Sequence, residues 1–199
     1  IGGNYTISGI FNQSNDASLL TFDASGGNKT FYPGSTSTYR NVRFDAPGAS
    51  YLTGSNWAII NTGIVTALTI NAGTLDLNHK LFDFRNNAAD LTINSDGTFE
   101  IDSAAVLTFA NTARLLNYGG NLKIVGTSTG LANIKRYTAT ATDYYTINMT
   151  GGTVEARYYR IENTGSSGFT ISGGSVNPTN NFSNGTFSGG VAGAGSSYL

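Results

Sequence analysis

A short pattern of alternating apolar and polar positions recurs along this chain. In each copy a central Thr is flanked by apolar residues, so an extended backbone would place the Thr on one side and its neighbours on the other. The copies are Tyr5-Thr6-Ile7, Leu68-Thr69-Ile70, Leu91-Thr92-Ile93, Tyr145-Thr146-Ile147 and Phe169-Thr170-Ile171. This two-residue period predicts β-strands, and no segment has the period of an amphipathic helix.

A second alternating segment, which begins at a Gly, follows four of these copies. The four segments are Gly73-Thr74-Leu75-Asp76-Leu77, Gly97-Thr98-Phe99-Glu100-Ile101, Gly152-Thr153-Val154-Glu155-Ala156 and Gly174-Ser175-Val176-Asn177. Leu91 follows Leu68 by 23 residues, and Glu100 follows Asp76 by 24. A repeat of this length, made of strands and Gly turns, predicts an all-β fold: a single-stranded parallel β-helix, or β-solenoid, with irregular loop insertions.

Stacking of such coils explains how short strands could bury their apolar residues. Coils about 4.8 Å apart pair each strand with the strand one turn earlier and align equivalent side chains in columns. The expected pairs are Leu68 with Leu91, Ile70 with Ile93, Leu75 with Phe99, and Leu77 with Ile101. A slip of one residue would turn a whole column outward, so the register should be strongly defined.

The pattern divides the chain unevenly. We expect a β-helix over residues 1–188, most regular at 67–126 and 145–188, and a Gly/Ser-rich tail or linker at 189–199. Between the two regular parts, residues 127–144 are predicted to form a protruding loop, with 132–143 as the best candidate for the protrusion. Strand-like segments in the less regular first third are 19–22, 41–44 and 57–60.

Composition excludes several classes of function. Charged residues make up 12% of the 199 and the net charge is −1, so the chain lacks the basic face that nucleic acid requires. An apolar content of 39%, with 11 Phe and 11 Tyr, supplies a folded core. The absence of Cys excludes disulfides and thiolate metal sites, and no apolar run approaches the roughly 20 residues of a membrane span.

The segments from Leu68 to Asn78 and from Tyr145 to Val154 resemble the repeats of right-handed parallel β-helix proteins with the pectin-lyase-like architecture. Such repeats are common in large secreted bacterial surface proteins. The resemblance covers residues 68–188 best, and it implies a right-handed coil and an extracellular or cell-surface location. The architecture hosts polysaccharide lyases, hydrolases, tailspikes, adhesins and passive stalks, so it does not by itself define a function.

Asp76 and Glu100 form the first candidate site, because they occupy equivalent outward positions one coil apart. Their backbones should lie about 5 Å from each other, and two stacked carboxylates need a cation, a basic neighbour or a shared proton. One interpretation is a solvated face balanced by Lys80, Arg85 or Lys123. The others are a cation site, for which Ca²⁺ is the cofactor considered, and the carboxylate pair of a retaining glycosidase.

Later repeats favour the structural interpretation. Glu155 holds the equivalent position in one repeat, but Asn177, which carries no charge, holds it in the next. Enzymes of the architecture that this chain resembles use several Asp residues across adjacent coils with Ca²⁺ or an Arg, and no Asp cluster of that density occurs here. We therefore expect no catalytic or metal site, with Asp76 and Glu100 as the alternative for both.

The second candidate site is aromatic and basic. It comprises Tyr137, Tyr144, Arg157, Tyr159 and Arg160. Strand alternation cannot bury both Tyr158 and Tyr159, so one of them should be exposed unless a turn intervenes. Exposed Tyr beside Arg suits stacking on sugar rings and hydrogen bonding to hydroxyls or carboxylates. The alternative is a Tyr column packed along the solenoid and covered by Arg stems.

Two functions follow from these features. The first is a non-catalytic module of an extracellular or surface protein, a stalk or adhesin that binds glycan or assembles end to end. The second is a carbohydrate-active enzyme, a polysaccharide lyase or glycoside hydrolase that uses Asp76 and Glu100. Solenoid ends normally carry polar caps, and neither end here resembles one. We therefore expect further coils of a longer parent chain, or self-association, to cover at least one end.

Overall fold

The architecture is entirely β in the part of the chain that the structure describes. This structure, a computed structural model, describes residues 1–15, 17–34, 36–60, 66–85, 87–138 and 144–190. These residues form fifteen strands and no helix. None of them belongs to a helix long and apolar enough to cross a membrane.

The strands form two sheets. The nine strands of the first sheet are β1 (Tyr5–Thr6), β2 (Leu20–Phe22), β3 (Gly27–Tyr32), β4 (Val42–Thr53), β6 (Thr66–Asp76), β8 (Asp90–Ile101), β10 (Arg114–Val125), β12 (Tyr145–Arg157) and β14 (Thr164–Ser183). The six strands of the second sheet are β5 (Trp57–Ile59), β7 (Leu81–Phe84), β9 (Val106–Phe109), β11 (Ala132–Arg136), β13 (Tyr159–Glu162) and β15 (Thr186–Ser188).

All named strand pairs are parallel, and the two sheets alternate along the chain. The first sheet runs β4-β6-β8-β10-β12-β14 while the second runs β5-β7-β9-β11-β13-β15, so each turn contributes one strand to each sheet. The result is a parallel β-solenoid of about 7 turns. The predicted fold class is therefore confirmed.

Each long strand of the first sheet supplies two faces of the solenoid. The register shifts near the middle of the strand, as between residues 70 and 72 of β6, and separates two paired segments. We call the segment before the shift the first face, the segment after it the second face, and the six-stranded sheet the third face. Apolar side chains from all three faces form one buried cluster.

Glycine makes the break between the first and second faces possible. Gly73 and Gly152 adopt φ values of 81° and 77°, which residues with a Cβ rarely adopt. A Cβ on Gly152 would also lie 1.9 Å from the carbonyl oxygen of Gly120 in the preceding turn. Gly73 and Gly152 are thus required both by their own backbone and by the close stacking of turns.

The predicted columns form in the predicted register. Leu68 pairs with Leu91, Ile70 with Ile93, and Leu75 with Phe99, and all six side chains are fully buried. Leu77 lies just past β6, where its N–H donates to the carbonyl of Glu100 at 3.0 Å. On the third face, the rings of Trp57 and Phe82 stack at 4.1 Å with an angle of 9°. Burial of each such side chain contributes about 1.5–3 kcal/mol.

One inward column contains a buried amide. Asn117 follows Ile93 in register and is fully buried. Its side-chain oxygen accepts hydrogen bonds from the N–H groups of Gly119 and Gly120, and its amide donates to the carbonyl of Gly120. Because these bonds satisfy polar groups at the break between the faces, Asn117 holds the turn while it occupies an apolar position.

Two copies of the first sequence pattern do not align as the spacing predicted. Ile147 pairs with Leu115, which pairs with Leu91, so Tyr145 lies two residues before the expected column. Tyr5 belongs to β1, which lies on the second face. Because similar triplets suit any half-buried strand, the pattern alone could not distinguish the faces.

The predicted protrusion at 132–143 is wrong for its first part. Residues 132–136 form β11, an ordinary rung of the third face that is paired on both sides with β9 and β13. Residues 139–143 of that prediction lie outside the described residues, as do residues 191–199 of the predicted tail.

An insertion nevertheless lies in this turn. Ile147 follows its register partner Leu115 by 32 residues, whereas Leu115 follows Leu91 by 24. Five of the eight additional residues fall after β11, because Arg136 and Thr146 are 10 residues apart while their partners Phe109 and Arg114 are 5 apart. The other three fall before β11. The larger insertion is therefore shorter than the sequence suggested, and it includes two of the candidate ligand-binding residues, Tyr137 and Tyr144.

Replacement of a column residue should destabilise the stack far more than replacement of its outward neighbour. Phe99→Ala should lower the free energy of unfolding by about 3–5 kcal/mol, because Phe99 is fully buried between Leu75 and Leu122. Thr98→Ala, one residue earlier and facing outward, should change it by less than about 1 kcal/mol. Urea denaturation followed by circular dichroism measures both values, and equal losses would contradict the assigned register.

Candidate functional site

The first candidate site is a column of charged side chains on the second face. Asp76 pairs with Glu100, Glu100 with Lys123, and Lys123 with Glu155. We call these four residues the charged column. The sequence predicted the adjacency of Asp76 and Glu100 correctly, and the register adds that a Lys separates Glu100 from Glu155.

Each of the later carboxylates in the charged column has a partner. The ammonium of Lys123 lies 3.6 Å from a carboxylate oxygen of Glu100. The side-chain amide of Asn180 donates to Glu155 at 2.9 Å. This amide, and not Asn177, meets Glu155, because the register of β14 shifts after Val176. The column is therefore largely balanced by its own neighbours, as the structural interpretation predicted.

Asp76 is the exception, because it sits at the acidic end of the charged column. Its carboxylate accepts a hydrogen bond from the Asn78 N–H at 2.8 Å. Desolvation by burial raises the pKa of Asp76 to about 6, and the negative charges of Asp102 and Glu100 act in the same direction. The Asn78 hydrogen bond and the nearby His79 oppose this rise. Asp76 thus titrates close to neutral pH.

His79 joins two consecutive turns beside this carboxylate. Asn78 and His79 both adopt left-handed backbone conformations, with φ values of 47° and 63°, which form the predicted turn. The His79 N–H donates to Asp102 at 2.8 Å, and its ring Nδ1 lies 2.8 Å from the second oxygen of the same carboxylate. The ring also contacts the carbonyl of Ser103. Asp102 follows His79 by 23 residues, so the repeat length could have revealed this pair.

The donor set at Asp76 and Glu100 is small for a metal ion. Within the described ranges, no group of three or more His, Asp or Glu side chains is arranged to hold one. Ca²⁺ takes six to eight oxygen ligands, and this pair would supply two carboxylates, one of them already paired with Lys123.

The second candidate site separates into different parts of the molecule. Tyr159 is 3% exposed, and its ring packs at 5.7 Å from Phe182 and 5.4 Å from Phe187. A left-handed conformation at Tyr158, with φ 50°, provides the turn that allows Tyr159 to point inward. A ring in this position has no face for a sugar, so Tyr159 cannot stack on a ligand.

Arg157 and Arg160 lie at a different corner from Tyr137 and Tyr144. The guanidinium of Arg157 lies 5.0 Å over the ring of Tyr158, between the second and third faces. Arg160 is exposed on β13 of the third face. Tyr137 and Tyr144 instead flank the passage from the third face to the first.

Arg85 completes an aromatic site at this second corner, although the sequence did not place it there. Its guanidinium lies 5.1 Å over the ring of Tyr137, and it also contacts Asp83 at 2.8 Å. Asp83 is in turn fixed by the hydroxyl of Thr108 at 2.8 Å. Ala110 is the residue between Arg85 and Tyr137 along the stack, and its small side chain leaves room for the Arg to reach the ring.

Tyr144 lies at the other end of the same insertion. Its carbonyl accepts from the Thr112 N–H at 2.7 Å, and its ring lies against Gly165. Tyr137 is 40% exposed and Tyr144 is 39% exposed. We call Arg85, Tyr137 and Tyr144 the tyrosine corner. Both rings are half-exposed, the Tyr137 ring beneath the guanidinium of Arg85 and the Tyr144 ring against Gly165 of the following turn.

A polar column that the sequence analysis did not single out runs beside the charged column. It extends along the second face from β3 to β14 and consists of hydroxyl and amide side chains: Asn28, Ser50, Thr74, Thr98, Asn121, Thr153 and Ser175. The Gly-Thr dipeptides of the second sequence pattern are the signal that could have revealed it.

The raised pKa of Asp76 predicts how stability depends on pH. Since the folded protein holds this proton more tightly than the unfolded chain, the ionised carboxylate lowers stability as the pH rises from about 4 to about 6. Asp76→Asn should therefore gain stability relative to wild type between pH 4 and pH 7. The gain should be on the order of 1 kcal/mol, because solvent screens this half-exposed side chain.

Urea denaturation at several pH values in this range measures that difference. Thr74→Ala is the control, because it alters the same face without a titrating group and should shift stability equally at every pH. A constant difference between Asp76→Asn and wild type would show that burial does not perturb this carboxyl.

No protein-family model matches the chain, and neither a curated protein nor a solved structure matches it significantly. The geometry of the charged column and of the tyrosine corner is therefore the basis for assigning a function.

Proposed function

We propose that this chain is a non-catalytic β-solenoid module of an extracellular or cell-surface protein, a stalk or adhesin that binds carbohydrate at the tyrosine corner. The observation that carries the binding role is the ring of Tyr137, which is held by Arg85 on one side and remains 40% exposed. Aromatic rings of this kind stack on the C–H faces of sugars, while their hydroxyls remain available for hydrogen bonds.

Arg85 adds polar recognition to the tyrosine corner. Its guanidinium is oriented by Asp83, which lies 9% exposed between Arg85 and Thr108. A guanidinium fixed in this way can direct its remaining N–H donors to sugar hydroxyls or bidentately to a sugar carboxylate. Rigid placement of a binding group limits the entropy lost when a ligand binds. This supports a glycan ligand whose hydroxyls or carboxylates accept hydrogen bonds from the guanidinium.

The stack itself suits a stalk. About seven turns at about 4.8 Å each give a rod roughly 30 Å long in which both sheets are continuously paired. We further propose the right-handed, pectin-lyase-like form found in secreted bacterial proteins. Each passage between turns joins parallel strands of one sheet, and such connections are right-handed in about 98% of cases.

Glycan binding should depend on Tyr137. On an array of acidic and neutral oligosaccharides, the wild-type chain should bind a subset, and Tyr137→Ala should weaken that binding about tenfold or more because the stacking surface is lost. Arg85→Lys should weaken the binding of acidic ligands more than that of neutral ones, since Lys keeps the charge but lacks the planar guanidinium that binds a carboxylate bidentately.

Tyr118→Ala is the matched control for this experiment. Tyr118 is 56% exposed and lies on the first sheet away from the tyrosine corner, so its loss should leave binding unchanged. Equal losses for Tyr118→Ala and Tyr137→Ala, or an array without any bound glycan, would contradict the proposed site.

A carbohydrate-active enzyme is the second candidate, and one observation favours it. Asp76, whose pKa is raised by burial, and its register neighbour Glu100 place two carboxyl groups on adjacent strands, at a spacing of about 5 Å between strands. Retaining glycosidases use carboxyl groups about 5–5.5 Å apart, one as acid and one as nucleophile. The contact between Glu100 and Lys123 opposes this role, because the nucleophile would already be paired.

An assay of polysaccharide cleavage distinguishes the two functions. We expect the wild-type chain, Asp76→Asn and Glu100→Gln to release reducing ends at the same background rate. Glu155→Gln is the matched control, because Glu155 belongs to the same column but lies two turns from Glu100. Cleavage that Asp76→Asn abolishes and Glu155→Gln preserves would replace the stalk with an enzyme.

A further inference from the structure

Both ends of the described stack present strands that pair on one side only. At the C-terminal end, β14 pairs with β12 and β15 pairs with β13. At the N-terminal end, β1 pairs only with β3. The N–H and C=O groups on an open parallel edge form a template for another strand of the same direction.

The sequence at both ends lacks the charges that usually protect such edges. No Asp, Glu, Lys, Arg or His side chain occurs in residues 1–15 or 163–199, although the chain carries 23 Asp, Glu, Lys and Arg residues elsewhere. The Ile1 ammonium at the N-terminal end lies 3.0 Å from the carboxylate of Asp23 and is balanced by it. Neither end therefore opposes contact through charge or through the desolvation of a charged side chain.

Apolar columns that are buried inside the stack become exposed at its last turn. Val176 is 39% exposed, whereas Val154 and Leu122, which precede it in the same column, are fully buried. At the other end, Tyr5 packs only partly buried against the core. Another turn on either end would complete burial of these side chains.

We propose that copies of this chain associate head to tail, with the β14 and β15 edge of one copy pairing with the β1 edge of the next. A second copy fits because its N-terminal end continues the same three faces in the same strand direction. On the second face, β1 would follow β14, and Tyr5 would continue the column that contains Ala156 and Asn181. This contact joins two different surfaces of the chain. Because each added copy extends the same stack, the contacts do not close into a ring and instead build a filament.

Two substitutions block one end each. Val176→Lys places a charge at the C-terminal edge, and Ile7→Lys places one at the N-terminal edge, where the Ile7 N–H extends the ladder of β1 to Tyr32 at 3.0 Å. Sedimentation of the wild-type chain should show masses that rise with concentration. Each variant alone should remain at the monomer mass of 20.8 kDa.

Mixing the two variants provides the decisive measurement. The free N-terminal end of Val176→Lys and the free C-terminal end of Ile7→Lys should join, so an equimolar mixture should reach twice the monomer mass and stop there. Such a dimer also demonstrates that both variants fold. Asn121→Lys, which adds the same charge to the side of the stack on β10, should associate like wild type.

Other outcomes overturn the proposal. A wild-type chain that stays monomeric at all concentrations would mean that another part of a parent chain covers the edges. A mixture that does not dimerise, or equal loss of association in Asn121→Lys, would place the contact elsewhere. The proposal does not depend on glycan binding, since a monomer that binds glycan through Tyr137 would leave the proposed function intact.

Discussion

Parallel registry between successive turns is the constraint that organises this molecule. Each residue of a turn is held about 4.8 Å from its equivalents above and below, so its environment is set by residues 19 to 33 positions away in sequence. The stacking of Trp57 on Phe82 and the contact of Glu100 with Lys123 are both products of this registry. A like pair is favourable when it is apolar and unfavourable when it is charged, which explains why the inward columns are mostly apolar and why a Lys follows the acidic pair Asp76 and Glu100 in the charged column.

The stack tolerates irregular turns because each irregularity is satisfied locally. Asn117 replaces an apolar residue of an inward column and uses its amide to satisfy the backbone at the adjacent glycines. The longest turn adds its residues at two corners, before β11 and between Arg136 and Thr146, where no strand ladder is interrupted. The corners are thus the places where the chain can change without loss of registry, and the candidate binding surface lies at one of them.

The two candidate sites differ in how far they could be predicted, and the repeat explains why. Asp76 and Glu100 are equivalent residues of adjacent turns, so counting along the sequence was sufficient to bring them together. Arg85 and Tyr137 are two turns apart and meet across Ala110, so no single repeat length links them. The burial of Tyr159 depended on a left-handed residue before it, which strand alternation does not anticipate.

The amino-acid pattern was sufficient for the fold class, the alignment of like residues in columns and the adjacency of Asp76 and Glu100, because these follow from a period that local residues repeat. The identity of each face, the inclusion of β11 in the third sheet and the assembly of the tyrosine corner required the folded chain. These three features depend on where the corners fall and on the length of each turn. Corner positions and turn lengths are set by backbone conformations and by packing between turns, and an alternating pattern of apolar and polar residues does not encode them.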